Sequence, residues 1–182
     1  MCAAEPWQKA EISGPMKSFV IQKPDVAAAL IKKAKHPVLI VGHEAVEAEN
    51  DINFIDYIVK IAKAGKIPII ASGKSFSEIR KFTSALLMPI VEAANRLIDP
   101  NWSGADGLGH HDLALFIAIP YYVEWLILSG IKHFSSVKTI SLDRFYQPHA
   151  SWSFPNLTVK DWVKNLNDLI KALEEGLKNV DV

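Results

Sequence analysis

Only one cysteine, Cys2, stands in the 182 residues. No disulfide can close within the chain, and thiolates are too few to build an iron–sulfur cluster or a structural zinc site. Excess charge of either sign is also missing, since Lys plus Arg number 20 and Asp plus Glu number 20. Without a basic face the chain is not expected to engage nucleic acid or an anionic membrane surface. Little charge repulsion keeps copies apart, so the isolated protein is open to self-association or to life inside an assembly. Long apolar runs are lacking too. The longest, residues 113–119 closed by Pro120, is far below the ~20 residues of a membrane span. The opening MCAAEPWQKAEISGP has no basic stretch followed by an apolar one, so no signal peptide is expected and the protein is placed in the cytoplasm.

Catalytic signatures are equally scarce. The segment VGHEA carries one glycine, Gly42, where a dinucleotide fingerprint carries three. SGKS, from Ser72 to Ser75, has Pro68 where a phosphate loop needs its first glycine. No G-x-S-x-G elbow is present. His110 and His111 are adjacent, and neighbours on an extended chain point opposite ways, so they are not expected to grip one metal ion. No metal site and no catalytic residue is assigned.

What the chain does have is apolar bulk, 49% of residues, and an alternating pattern. Residues 37–42, 67–71 and 113–119 are continuously apolar or β-branched, as strands covered on both faces are, and 137–142 reads as a further strand. Between them lie helical stretches. One runs from Pro24-Asp25 to about Ala34, and one follows a cap at Asn50 or Asp51, shows Ile52, Ile55, Ile58, Val59 and Ala62 on one face, and ends at Gly65. A capping box of Ser75 and Glu78 opens a third, continued by Ile79, Phe82 and Leu86. Others start at Pro89 and Pro120, and a last long one starts at Thr158 and Asp161 with the stripe Trp162, Leu166, Leu169, Ile170, Leu173, Leu177. Strand–helix alternation gives a parallel sheet with helices on both faces. One α/β domain spans 1–182, with residues 1–23 as an N-terminal arm lying on the domain or on a partner.

In such a sheet, ligands bind outside the carboxyl ends of the strands. That points to Gly42-His43-Glu44, Ser72-Gly73-Lys74, Pro120-Tyr121 and Ser141-Leu142-Asp143, each after a buried strand, and Gly42, His43, Ser72, Gly73, Lys74 and Asp143 are taken as the candidate ligand residues. Gly42 either lets a backbone approach a ligand or serves only the strand-to-loop turn. Ser72, Gly73 and Lys74 either form an anion site at a helix start or are a solvated cap. Tyr121, Tyr122 and Trp125, with Trp102 and Trp152 in loops, are read as core, with interface anchors as the alternative.

The segments PVLIVGHEA, KIPIIASGKS, DLALFIAIPYYVEW and TISLDRFYQPHASWSFPNL, in that order, resemble the epsilon subunits of the archaeal acetyl-CoA decarbonylase/synthase complex, from about Glu11 to the last helix. The resemblance implies a doubly wound parallel sheet of six strands, similar to the central nucleotide-binding domain of thiamine-diphosphate enzymes. It implies as partner the alpha subunit, a nickel–iron–sulfur carbon monoxide dehydrogenase, in an alpha-two epsilon-two component of a complex that makes or cleaves acetyl-CoA in anaerobic archaea. It implies one of two roles, stabilising alpha or assisting electron transfer to FAD. In the FAD case, Gly42, His43, Ser72, Gly73, Lys74 and Asp143 would line the flavin. A stand-alone deacylase of related fold would need a glycine-rich first loop, a catalytic histidine downstream of it and often a zinc cysteine quartet; the loop and the quartet are missing.

Overall fold

The computed structural model describes residues 17–47 and 54–178. Seven parallel strands form one sheet: β1 Phe19–Val20, β2 Pro37–Val41, β3 Ile69–Ala71, β4 Leu86–Leu87, β5 Leu113–Ile117, β6 Lys138–Ser141 and β7 Trp152–Ser153. Their order is β1-β7-β6-β5-β2-β3-β4, and every pairing is parallel. The sheet thus has seven strands where six are expected. Phe19 and Val20, expected to lie on the surface of the domain or a partner, form an edge strand paired with Trp152 and Ser153.

The helices are α1 Pro24–Lys33, α2 Phe54–Gly65, α3 Gly73–Ile79, α4 Ile90–Ile98, α5 Tyr121–Phe134 and α6 Val159–Lys178. Strand side chains alternate between two cores, as the pleat requires. Leu39, Val41, Ile69, Leu113, Leu115, Ile117 and Ile140 pack with α1, α2 and α6. Val38, Ile40, Ile70, Ala114 and Phe116 face the other way, onto α4 and α5. Both faces are covered, which is why these strands read as unbroken apolar runs.

Several local expectations need correcting. Ser75 does not cap α3. Gly73, at φ +52°, begins that helix, and Ser72 precedes it in an extended conformation. Ser75 lies inside the helix, buried, and donates its Oγ–H to the Gly42 carbonyl at 2.7 Å. The helix stops at Ile79, so Phe82 is exposed in a loop and Leu86 belongs to a strand. At the end of α2 the left-handed residue is Lys66, not Gly65. The last helix starts as expected. The Thr158 hydroxyl accepts from the Asp161 N–H at 3.2 Å and donates to Asp161 Oδ2 at 2.8 Å. Its stripe is buried at Trp162, Leu166, Leu169, Ile170 and Leu173. Trp7, Cys2, the proposed cap at Asn50 or Asp51, and Ile52 fall outside the described residues, as does the side chain of Leu177. Of the five aromatics expected in the core, Trp102 and Trp152 are half-buried and pack against it; Trp125 and Tyr121 are half-buried and Tyr122 is 70% exposed.

Candidate functional site

Chain order along the sheet reverses at β2: β3 and β4 extend to one side, β5, β6 and β7 to the other. Crevices beside such a reversal are where doubly wound sheets hold ligands. Here the two loops flanking it are tied together. The Gly42 N–H donates to the Ile117 carbonyl at 3.0 Å, and the Glu44 N–H donates to the Ala118 carbonyl at 3.2 Å. A Cβ on Gly42 would fall 2.1 Å from the Ala118 oxygen. Gly42 is thus required by the close approach of two backbones, whatever else it does.

Ala118 itself has φ +58°. This left-handed turn, unusual for a residue with a Cβ, aims two successive main-chain N–H groups, those of Ala118 and Ile119, at one point. Asp143 fills that point. Its Oδ1 accepts from Ala118 at 2.7 Å and its Oδ2 from Ile119 at 3.3 Å. Paired N–H groups after a strand are the usual anchor for a ligand anion, and here the chain supplies its own carboxylate.

Beside Asp143 lies a cavity of about 380 Å³. Among the described residues its lining holds four acids, Glu44, Glu47, Glu124 and Asp143, and a single cation, Arg144. The Arg144 guanidinium sits 4.2 Å from the centroid of the Phe145 ring. Phe54, Tyr121, Phe145 and Trp162 supply aromatic surface. Trp162 is fixed by its indole N–H, which donates to the Leu142 carbonyl at 2.7 Å, and its ring lies 4.7 Å from that of Phe54.

Glu124 is completely buried on the first turn of α5. Its Oε2 accepts from Gln147 Nε2 at 3.0 Å. The Ser141 and Asp143 side chains also act on this carboxyl, although no hydrogen bond to Oε1 or to Ser141 Oγ reaches normal geometry. Burial, and then the charge of Asp143, push the Glu124 carboxyl well above its usual range. Burial also raises Asp143, to about 7, against the pull of its two main-chain N–H partners, and Glu44 adds to the rise. Two carboxyls this close, out of water, favour holding a proton between them.

Of the six sequence candidates, Asp143 lines the cavity and Gly42 stands behind it. His43 is exposed, with Nε2 3.8 Å from Glu47 Oε1. Ser72, Gly73 and Lys74 gather at the end of β3, outside the lining, with Gly73 and Lys74 exposed. Glu44 and Tyr121, which follow the first and third strands, line the cavity too, whereas Glu124 and Trp162 were not foreseen as site residues. Glu124 leaves one trace in the sequence: it is a charge on the same helical face as the buried Ile127, Leu128 and Ile131. The lining does not suit FAD. The diphosphate would meet four carboxyls, and the main-chain donors that could hold it are taken by Asp143.

At the opposite end of the sheet, His36, Asp106 and His111 bring ligand-type atoms within 4.8 Å of one another. His36 Nε2 is 3.0 Å from both Asp106 oxygens, and the two imidazoles stack at 4.1 Å. Both nitrogens of His111 are engaged by main chain. Its Nε2 accepts from the Ala105 N–H at 2.9 Å, which leaves Nδ1–H to donate to the His36 carbonyl at 3.0 Å. With that lone pair occupied by the Ala105 N–H, the trio clasps the loop 101–111.

The family model for "CO dehydrogenase beta subunit/acetyl-CoA synthase epsilon subunit" matches residues 2–170. Subunit epsilon 1 of the acetyl-CoA decarbonylase/synthase complex of Methanosarcina barkeri is 40% identical over 151 residues, covering 82% of this chain and 86% of that protein. The Archaeoglobus fulgidus epsilon 1 subunit is 39% identical over 162 residues, covering 87% of this chain and 83% of that protein. The Methanothermobacter thermautotrophicus epsilon subunit is 32% identical over 166 residues, covering 90% and 93%. With a seven-stranded parallel sheet and a match that runs nearly end to end, the chain belongs to the family of acetyl-CoA decarbonylase/synthase epsilon subunits.

Proposed function

We propose that this chain is a non-catalytic accessory subunit that binds and stabilises the nickel–iron–sulfur carbon monoxide dehydrogenase subunit of an acetyl-CoA decarbonylase/synthase complex, as the epsilon partner of an alpha-two epsilon-two component. Its relatives are named as epsilon subunits of that complex. The observation that carries the non-catalytic part is the Asp143 carboxylate seated on the Ala118 and Ile119 N–H groups. A fold whose anion anchor is filled from within has given up the diphosphate grip on which nucleotide cofactors depend.

Surface chemistry supports a partner. Leu108 is 81% exposed at the tip of loop 101–111, and the histidine clasp holds that loop in place. Tyr122 and Leu126, one turn apart on α5, are 70% and 62% exposed. Rigidly displayed apolar groups of this kind are what interfaces use as anchors. No helix among the described residues is long and apolar enough to cross a membrane.

Co-expression with the dehydrogenase subunit, followed by gel filtration, tests the reading. One peak holding both chains in equal amounts is expected, together with slower thermal inactivation of the dehydrogenase than when it is alone. Clean separation of the two chains overturns it. Carbon monoxide oxidation by this chain alone would overturn the non-catalytic assignment.

A further inference from the structure

We propose that the tip of loop 101–111 is held by a proton-operated latch, shut while His111 Nε2 offers a lone pair to the Ala105 N–H and released when a proton takes that lone pair. The latch belongs to the isolated chain, so it holds or fails apart from the assembly reading. Its basis is a fixed tautomer. A main-chain N–H only donates, so the Ala105 N–H, 2.9 Å from Nε2, requires a bare nitrogen there. The single proton of the neutral ring then sits on Nδ1, which donates to the His36 carbonyl at 3.0 Å. A second proton would set two donors face to face at Nε2. The half-buried Ala105 N–H would lose its acceptor, and the cost of leaving such a donor unpaired favours an open tip where water can serve it.

The surroundings make that proton hard to add while the tip is closed. His111 is 1% exposed. Its ring stacks on His36 at 4.1 Å and meets the Trp102 ring at 5.5 Å. Gly104, at φ +82°, packs so near that a Cβ there would stand 3.2 Å from Nε2 and 3.1 Å from the His36 ring. The charged neighbours come from three segments. His36, ahead of β2, and His110, beside the ring, oppose a positive His111, whereas Asp106 in the loop favours one. Asp106 is already committed, with both oxygens 3.0 Å from His36 Nε2. Asp112, just ahead of β5, is turned to the Lys35 and His36 main-chain N–H groups at 2.8 and 2.9 Å. Burial is the largest influence, and His111 is held below its ordinary 6.5. With the tip open the ring is wetted and takes its proton nearer that ordinary value. The closed form is therefore fully favoured above 6.5 and loses its advantage as pH falls below it. Acid opens the latch, and Leu108, 81% exposed, rides on the tip.

Amide hydrogen exchange of the full chain, followed by NMR from pH 8 to 5 and corrected for the intrinsic pH dependence of exchange, tests this. Ala105 protection should stay level above 6.5 and fall below it, by up to about tenfold per pH unit, while Leu115 in the sheet stays protected. In His111→Gln the side-chain oxygen takes the place of Nε2 and has no proton to gain, so Ala105 protection should be level over the whole range. If His111→Gln fails to fold, the ring-nitrogen chemical shifts of wild-type His111 carry the comparison. Nε2 should then change from acceptor to N–H over the pH range in which Ala105 loses protection. The proposal is overturned by Ala105 protection that is the same at pH 7.5 and pH 5. An undiminished fall in His111→Gln overturns it too, as does a His111 ring that titrates with no change at Ala105.

Discussion

Gly42 shows how one missing side chain can hold two loops together. Its N–H and that of Glu44 lock onto the Ile117 and Ala118 carbonyls, and its own carbonyl accepts the Ser75 hydroxyl. A methyl group added there meets main chain at 2.1 Å, where nothing flexible can yield. Gly42→Ala should therefore cost about 3 kcal/mol or more, as overpacking against rigid backbone does at its upper end, and chemical denaturation will read it. Glu124 makes a contrasting prediction. Burial, and then the charge of Asp143, hold its folded carboxyl well above the usual carboxylate range. The unfolded chain gives up its proton near the ordinary 4.5, so the folded state binds more protons above that pH. Stability from this group is complete below pH 4.5 and drains away as pH rises through the folded value. Asp143, raised to about 7, acts in the same direction between 3.8 and about 7. Glu124→Gln keeps an acceptor for Gln147 and offers Asp143 an N–H donor. It should flatten the pH–stability profile and raise stability at pH 8 relative to wild type. Superimposable wild-type and variant profiles from pH 5 to 9 would show that no proton is stored there.

At the scale of the element, the end of α2 is informative. The Ile67 N–H bonds back to the Ala62 carbonyl at 2.9 Å and the Lys66 N–H to Lys63 at 3.3 Å. This is the pattern of a Schellman cap, in which glycine usually takes the left-handed position. Here Lys66 takes it, at φ +52°, and the glycine sits one residue early. Lys66→Gly should relieve about 0.5–1 kcal/mol of strain, net of the entropy glycine adds to the unfolded chain, visible as a raised denaturation midpoint. The slip illustrates what was legible. Strands β2, β3 and β5 announce themselves because both faces are covered, so every residue is apolar, whereas β6, KTIS, shows only its β-branched Thr139 and Ile140. β1, β4 and β7 have two residues each, too short for any period. Their existence is decided by the neighbouring strand. Ser75 and Glu78 match a capping pattern, yet Gly73 starts the helix earlier and the Ser75 hydroxyl goes to Gly42. The site divides in the same way. Asp143 was found because it follows a buried strand. Glu124 was hidden, because a helix position says nothing of what lies across the sheet's edge.

For the whole molecule, the two ends of the sheet hold different chemistry. The carboxyl end has the acidic cavity. The amino end has the His36, Asp106 and His111 clasp, which fixes loop 101–111 and leaves Leu108 outermost on it. A leucine 81% exposed gains nothing for the isolated fold, so removing it separates folding from assembly. Leu108→Ser should leave the stability of the chain alone within about 0.5 kcal/mol, as surface substitutions do. If the loop seats on the dehydrogenase, the same change removes an apolar anchor, and loss of one such anchor weakens binding by roughly 1–2 kcal/mol, about five- to thirtyfold. Denaturant titration of the isolated variant and equilibrium binding to the dehydrogenase subunit measure the two quantities side by side. His111→Ala should act on the same loop from within: it removes the acceptor for Ala105 and the donor to His36, so stability and partner binding should fall together. A Leu108→Ser variant that keeps full affinity, beside a His111→Ala variant that loses only stability, would place the docking surface elsewhere, with the exposed α5 pair Tyr122 and Leu126 next to be tested.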